Sequence, residues 1–178
     1  MRTLSIRVLA LLPVSALAAL TLAACASSSR PAPAACTPAG LRVAAGYSQG
    51  ATQHAIYDLS FTNVSRTACT LRGFPGVSLV TAGNSSGHPI GSPRPLIMPT
   101  PGGSASTLTL APGQHALALL GIAETVMFTG MRCDPVTAHW LKVSPPHASH
   151  AVYVPITALT CASSADQVLE VSSVYRDS

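Results

Sequence analysis

Residues 57–63 read Tyr57-Asp58-Leu59-Ser60-Phe61-Thr62-Asn63, and this stretch decides the fold class. Tyr57, Leu59 and Phe61 alternate with polar residues. Alternation of this kind gives one apolar and one polar face only if the backbone is extended. The stretch therefore predicts a β-strand that buries one face.

The next stretch, Cys69-Thr70-Leu71-Arg72-Gly73-Phe74-Pro75-Gly76-Val77, predicts a strand, a corner and a further strand. Cys69 and Leu71 share one face of an extended backbone. Gly73 and Gly76 can take positive φ, and Pro75 cannot extend a central ladder. The pattern is typical of strands joined by tight turns.

Further strands are expected wherever alternating residues are bounded by Pro, Gly, Ser or Asp. Seven to nine strands without a long amphipathic helical pattern favour an all-β, antiparallel sandwich. Residues 122–131 are the one place where we expect a short helix. The additional strands are predicted at residues 40–45, 106–110, 114–121, 138–143, 151–157 and 168–174.

A proline-rich stretch, residues 93–103, interrupts this pattern. Its four prolines argue against a hydrogen-bonded ladder, yet Leu96, Ile97 and Met98 are apolar. We predict a loop that either packs on the core or receives a partner.

The composition indicates one domain with a neutral, hydroxyl-rich surface. The chain has 178 residues, of which 48% are hydrophobic and 9% charged. That charged fraction is far below the roughly 25% of typical soluble domains. The formal net charge of +4 includes Arg2 and Arg7, and the other basic residues are scattered. No nucleic-acid partner is therefore expected.

The first 24 residues are typical of a lipoprotein signal peptide. Arg2 and Arg7 precede an apolar segment, and Leu22-Ala23-Ala24-Cys25 resembles a lipobox. In lipoproteins of this type the cysteine thiol receives a diacylglyceryl group, so we predict lipidation of Cys25. The alternatives are an ordinary secretory signal with a coincidental cysteine, or a retained membrane helix, for which the apolar stretch is short.

Residues 25–35 combine this cysteine with a flexible Ala/Ser/Pro tether, and residues 36–178 form the predicted domain. Attachment through Cys25 would hold the domain at the outer, extracytoplasmic face of the cell membrane.

Four cysteines remain, and an even number in an exported chain indicates two disulfides among three possible connectivities. We favour Cys36 with Cys69 and Cys133 with Cys161, because each pair ties an incoming segment to the nearest central strand. A zinc site is the alternative, but Cys-x-x-Cys and Cys-x-x-His spacings do not occur.

At this point the residues carry a resemblance to a known family. Leu-x-Phe-Thr-Asn, Cys-Thr-Leu-x-Gly-Phe-Pro-Gly-Val, Leu-x-Pro-Gly before a strand, and a late Cys-x-Pro followed by Val-x-Pro-Pro occur in this order. The succession resembles an actinobacterial family of secreted domains catalogued as domain of unknown function 4232. The resemblance implies an immunoglobulin-like sandwich in a lipoprotein or cell-envelope protein, and it implies no catalytic residue.

The sequence signals for a catalytic site are weak. Residues 83–87 fit Gly-x-Ser-x-Gly around Ser85, but a nucleophile elbow requires a helix after the strand, and a hairpin loop is expected instead. Asp58 lies on the polar face of its strand, and Asp134 precedes a proline in a predicted turn. Trp140 is expected in the core. Histidines could supply metal ligands or a base, but His147 and His150 lie in a Pro/Ser/Ala loop without a completing carboxylate, and a surface position is the favoured interpretation. The other histidines are His54, His88, His115 and His139.

These observations are consistent with two functional classes and a third, less specific one. The first is a non-catalytic binding module, anchored to the membrane, that holds an envelope protein or a wall polymer. The second is an envelope-acting hydrolase centred on Ser85 or a histidine. The third is a structural surface protein with no dedicated ligand. We favour the first, as a monomer without catalytic, metal or cofactor sites.

Overall fold

The computed structural model describes residues 31–51, 53–103, 106–128 and 133–177. The predicted signal peptide and the lipidated Cys25 lie outside the described residues, so both stay predictions.

Residues 57–63 lie in an inner strand of the largest sheet. Strand β2 (His54–Asn63) pairs antiparallel with β1 (Leu41–Ala51) on one side and with β8 (His115–Ala123) on the other. Tyr57, Leu59 and Phe61 are buried, whereas the polar residues between them are only half-buried. The predicted strand with one buried face is therefore confirmed.

Two further strands extend this sheet beyond β8. Strand β11 (Leu169–Val171) pairs antiparallel with β8, and β6 (Leu96–Ile97) pairs parallel with β11. The five-stranded sheet therefore has the order β1-β2-β8-β11-β6. Its two edges are the eleven-residue β1 and the two-residue β6.

The second sheet has four strands in the order β10-β9-β4-β5. It consists of β10 (Val152–Cys161), β9 (Pro135–Ser144), β4 (Gly76–Val80) and β5 (Pro89–Ile90), all paired antiparallel. Strands β3 (Cys69–Leu71) and β7 (Leu108–Leu110) form a small separate antiparallel pair.

The core is a single apolar cluster to which all three sheets contribute. Leu59, Phe61 and Leu120 come from the larger sheet, and Leu79 and Leu141 from the four-stranded sheet, each fully buried. Burial of one such side chain is worth about 1.5–3 kcal/mol. Alternating strands that bury their apolar faces in one cluster give a sandwich-like, all-β domain.

Two disulfides close segments of about thirty residues. Cys36 is bonded to Cys69 and Cys133 to Cys161, the connectivity that the sequence analysis favours. The first joins the segment before β1 to β3, and the second joins the segment before β9 to the end of β10.

The predicted helix at residues 122–131 and the predicted burial of Trp140 both differ from the structure. The helix predicted at residues 122–131 is wrong for Ile122 and Ala123, which end β8, and only a short 3₁₀ turn follows at Thr125–Phe128. Residues 129–131 lie outside the described part. Trp140 is half-buried rather than a core residue. A Cβ on Gly83 would lie 2.6 Å from Trp140 Cδ2, so the indole packs on the loop that follows β4.

The proline-rich stretch contains a ladder, contrary to the prediction. Leu96 and Ile97 pair with Glu170 and Val171, and the Met98 N–H donates to the Val171 carbonyl at 3.0 Å. The ladder forms because the prolines flank these residues instead of interrupting them. With β5, this short strand brings the described strands to eleven, two more than the upper expected number.

Candidate functional site

The Gly-x-Ser-x-Gly stretch lies in a hairpin loop. Residues 81–88 connect β4 to the antiparallel β5, and Ser85 is exposed. Asn84 Oδ1 accepts a hydrogen bond from the Ser86 N–H at 2.9 Å, which is a local turn contact. Neither strand leads into a helix, so the geometry of a nucleophile elbow is not present at Ser85.

The histidines and carboxylates are dispersed. Within the described ranges, no group of three or more His, Cys, Asp or Glu side chains could hold a metal ion. His150 contacts its neighbour, with 2.9 Å between its Nδ1 and Ser149 Oγ. The backbone carbonyl of Asp134 accepts a hydrogen bond from the Ala162 N–H at 2.9 Å. His54 is half-buried, and the others, His88, His115, His139, His147 and His150, are exposed.

Besides burial, the negative charge of Asp58 contributes to a raised pKa of Tyr175. Burial, first, and then the negative charges of Asp58 and Asp177 raise the pKa of Tyr175. Burial also raises the pKa of Tyr57, with smaller contributions from Tyr47 and Glu124. Both phenols therefore stay protonated at neutral pH, and neither is prepared to act as a base.

The outer edge of β1 is the first candidate binding surface. The N–H and carbonyl of Asn63 point toward Gly113 and Gln114, away from β1. The carbonyl of Gly40 accepts a hydrogen bond from the Val64 N–H. In the regular part of β1, the hydrogen bonds to β2 are therefore made by the even-numbered residues. By alternation, the backbone groups of Val43, Ala45 and Tyr47 point to the open edge.

The other three edges of the two larger sheets are blunted. Strand β6 has two residues and follows Pro95, and β5 has two residues and begins at Pro89. Strand β10 carries Pro155 beside an interruption of its register. Short strands, prolines and bulges are the usual protection of edges. Strand β1 contains no proline, and its register is regular from Leu41 to Tyr47.

An aromatic pair marks the end of this regular edge. The rings of Tyr47 and Tyr57 meet edge to face, with centroids 5.5 Å apart. Tyr57 is buried, whereas Tyr47 is 63% exposed. Among the residues that the structure describes, the open edge thus carries backbone groups without a hydrogen-bond partner and an accessible aromatic ring, a combination suited to an added strand.

The proline-rich stretch is fixed at the opposite end of the same sheet. Thr100 Oγ1 and Ser173 Oγ are 2.7 Å apart, and the Ser173 N–H donates to Thr100 Oγ1 at 3.1 Å. Ile97 is nevertheless 63% exposed. Of the two alternatives predicted for this loop, packing on the core applies only to its backbone, which is paired with β11. The side chains of Leu96 and Ile97 face solvent.

A shallow groove of about 260 Å³ lies on the outer face of the four-stranded sheet. In the ladder between β4 and β9, Ser78 lies opposite Lys142 and Gly76 lies opposite Ser144. Their neighbours Val77 and Val143 are buried, so these four residues face outward. Pro89 and Pro93 complete the rim. No motif search finds this groove, because its residues come from four separated segments.

A family model described as "Domain of unknown function (DUF4232)" matches residues 36–175. No curated protein and no solved structure matches the chain. In the part of the chain that the structure describes, no helix is long and apolar enough to cross a membrane.

Proposed function

Since the chain belongs to the DUF4232 family, which has no assigned function, we propose from its surfaces that it is a non-catalytic binding module of the cell envelope. The module is displayed on the outer face of the membrane through lipid on Cys25. It holds an extended segment of an envelope protein along the open edge of β1. The observation that carries the proposal is the contrast between this edge and the three blunted ones.

The backbone of β1 supports this mode of binding. At every second residue, Val43, Ala45 and Tyr47, the backbone N–H and carbonyl point to the open edge and offer a row of donors and acceptors to an added strand. Main-chain hydrogen bonds supply affinity in such complexes, and side-chain contacts supply selectivity. On the face away from the core, Ala44 and Gly46 are exposed and small, so they leave room for a partner's side chains.

Sequence and chemistry support the location. The lipobox resemblance at Leu22-Ala23-Ala24-Cys25 favours an anchored chain, and two disulfides favour an oxidising compartment. The anchor is tested by mass spectrometry and detergent partitioning of the protein from cells. We expect a lipid-modified Cys25 at the N-terminus, and an intact Met1 would contradict the anchor.

The binding mode is tested by cross-linking the anchored protein in living cells and identifying attached proteins by mass spectrometry. Ala45→Pro removes an outward N–H without touching the β2 ladder, and Ala45→Ser is the matched control that keeps it. Circular dichroism establishes that both variants are folded. We expect a reproducible protein partner with the native chain and with Ala45→Ser, and loss of that partner with Ala45→Pro.

A Cys25→Ser chain separates anchoring from recognition. Suppose that the partner is lost when the protein is released from the membrane but binds again when mixed with the purified protein. The anchor is then needed only to bring the two together, and recognition does not depend on it. Equal capture by Ala45→Pro and Ala45→Ser would overturn the assignment to the β1 edge.

A further inference from the structure

The groove on the four-stranded sheet contains a cation without a counter-charge. Lys142 is the only lysine in the sequence, and its side chain is exposed at the groove. Within residues 31–177, as far as the structure describes them, it forms no ion pair or side-chain hydrogen bond. Strands β4, β5, β9 and β10 contain no Asp or Glu. An anion entering the groove therefore meets a positive charge that no carboxylate of this sheet offsets.

Hydroxyl groups line the groove around this cation. Ser78 lies directly opposite Lys142 in the ladder, and Ser144 is two residues along the same strand. Ser78 Oγ makes one long hydrogen bond, 3.3 Å to the Leu79 carbonyl, and retains acceptor capacity. On the other side of Lys142, Tyr153 is its register partner in β10. Opposite residues share a face, so Tyr153 also points outward.

The floor and rim of the groove leave limited space. Gly76 opens the floor, where a Cβ would lie 3.4 Å from Ser144 Cβ. Pro89 and Pro93 at the rim have fixed φ angles. A volume of about 260 Å³ is below the roughly 300–1,000 Å³ of pockets that enclose drug-sized ligands. The groove fits one ring-sized unit, and because it is open to solvent, that unit can belong to a longer polymer.

We infer that this groove binds a carboxylate-bearing sugar unit of a polysaccharide. The ammonium of Lys142 binds the carboxylate, and the hydroxyls of Ser78 and Ser144 exchange hydrogen bonds with the sugar hydroxyls. The ring of Tyr153 offers an apolar surface for the C–H face of a neighbouring unit. A lone ammonium matches a single negative charge, whereas a phosphate monoester carries about −1.5 to −2 at pH 7.

This site is independent of the β1 edge, because it lies on the other sheet. The groove and the edge can therefore fail separately in experiments. Binding of a sugar polymer at Lys142 adds a second ligand to the module, and loss of one ligand leaves the other in place.

The single lysine makes the test direct. Full-length protein in detergent is reductively methylated with ¹³C-formaldehyde, which keeps the positive charge and labels Lys142 as the only side-chain amine. Trigalacturonate is titrated against it, with fully methyl-esterified trigalacturonate as the uncharged counterpart. We expect a saturable shift of the Lys142 methyl resonance with the acid and about tenfold or more weaker binding of the ester, since hydrogen bonds to charged groups are worth about 1.5–3 kcal/mol.

Variants of the unlabelled protein are compared by calorimetry. Lys142→Gln should lose trigalacturonate binding, Lys142→Arg should keep it, and Arg42→Gln on the other sheet should leave it unchanged. Higher salt should weaken binding because the groove is open to solvent. Equal affinity for acid and ester, or unchanged binding by Lys142→Gln, would overturn the proposal. Competition by equimolar inorganic phosphate would also overturn it, in favour of a general anion site.

Discussion

The phenol of Tyr57 donates a hydrogen bond to the carbonyl oxygen of Thr157 across 3.0 Å. Tyr57 lies in β2, the strand next to the β1 edge of the five-stranded sheet, and Thr157 lies where β10 leaves its register with β9. The bond therefore gives a partner to a carbonyl at the point where the ladder of the other sheet is interrupted. It also fixes the ring against which the exposed Tyr47 packs.

Tyr57→Phe should lower the free energy of unfolding by about 1 kcal/mol, or up to about 3 if the Thr157 carbonyl finds no water. The ring remains, so packing against Tyr47 should persist. Urea unfolding followed by circular dichroism measures the difference. The matched control is Tyr153→Phe, which removes a hydroxyl from the outer face of the other sheet. Equal losses for both variants would contradict a specific contribution from the Tyr57–Thr157 bond.

Stability should fall at alkaline pH. Tyr57 and Tyr175 have pKa values raised above 10.0 in the folded protein, chiefly by burial. Above pH 10 the unfolded chain therefore loses these protons more readily than the folded one, and the free energy of unfolding decreases until the folded pKa values are passed. Unfolding midpoints between pH 8 and pH 11 test this. Tyr57→Phe should show a shallower decrease than the native chain, and an unchanged slope would exclude Tyr57 as a contributor.

Gly91→Ala should be strongly destabilising. Gly91 has φ of +68°, and an added Cβ would overlap the buried side chain of Val168. Positive φ alone costs a residue with a Cβ roughly 1–2 kcal/mol. Gly102→Ala separates the two effects, since Gly102 has φ of +75° with nothing within 4 Å of an added Cβ. The loss at Gly91 should exceed the loss at Gly102 in chemical unfolding, and equal losses would show that Val168 moves aside.

Each disulfide should contribute similarly to stability. The sequence separations are 33 for Cys36–Cys69 and 28 for Cys133–Cys161. Chain entropy predicts roughly 3–4 kcal/mol for closing either loop. Paired Cys→Ala variants compared by urea unfolding give the two values. A non-reducing peptide map checks the connectivity, and free thiols at these four positions would contradict it.

Strand positions could be predicted because their signal is local. The alternation in residues 57–63 and 106–110 depends on neighbours within a few positions, and β2 and β7 are found at or near those places. The disulfides could be predicted because each joins two cysteines that follow one another among the four, with sequence separations of 33 and 28.

Pairing and exposure could not be read in the same way. Leu96 and Ile97 become a strand only because β11, more than seventy residues later, provides a parallel partner. The sequence of β1 does not indicate that this strand lies at the edge of its sheet. The indole of Trp140 packs against Gly83, a contact between residues that are far apart in the sequence. The groove around Lys142 likewise depends on which strands adjoin, so neither candidate surface has a sequence signature.

The attachment of residues 34–36 to β3 determines where a mechanical load enters the domain. The Thr70 N–H donates to the Ala34 carbonyl at 2.8 Å, the Cys36 N–H donates to the Thr70 carbonyl at 2.8 Å, and Cys36 is covalently joined to Cys69. A pull on the N-terminal end therefore stretches this clamp before it reaches Leu41. The disulfide carries the tension from Cys36 to Cys69, past the closed loop that contains β1 and β2, so β1 is not peeled from β2. The edge strand keeps its shape while the chain ahead of it is under strain.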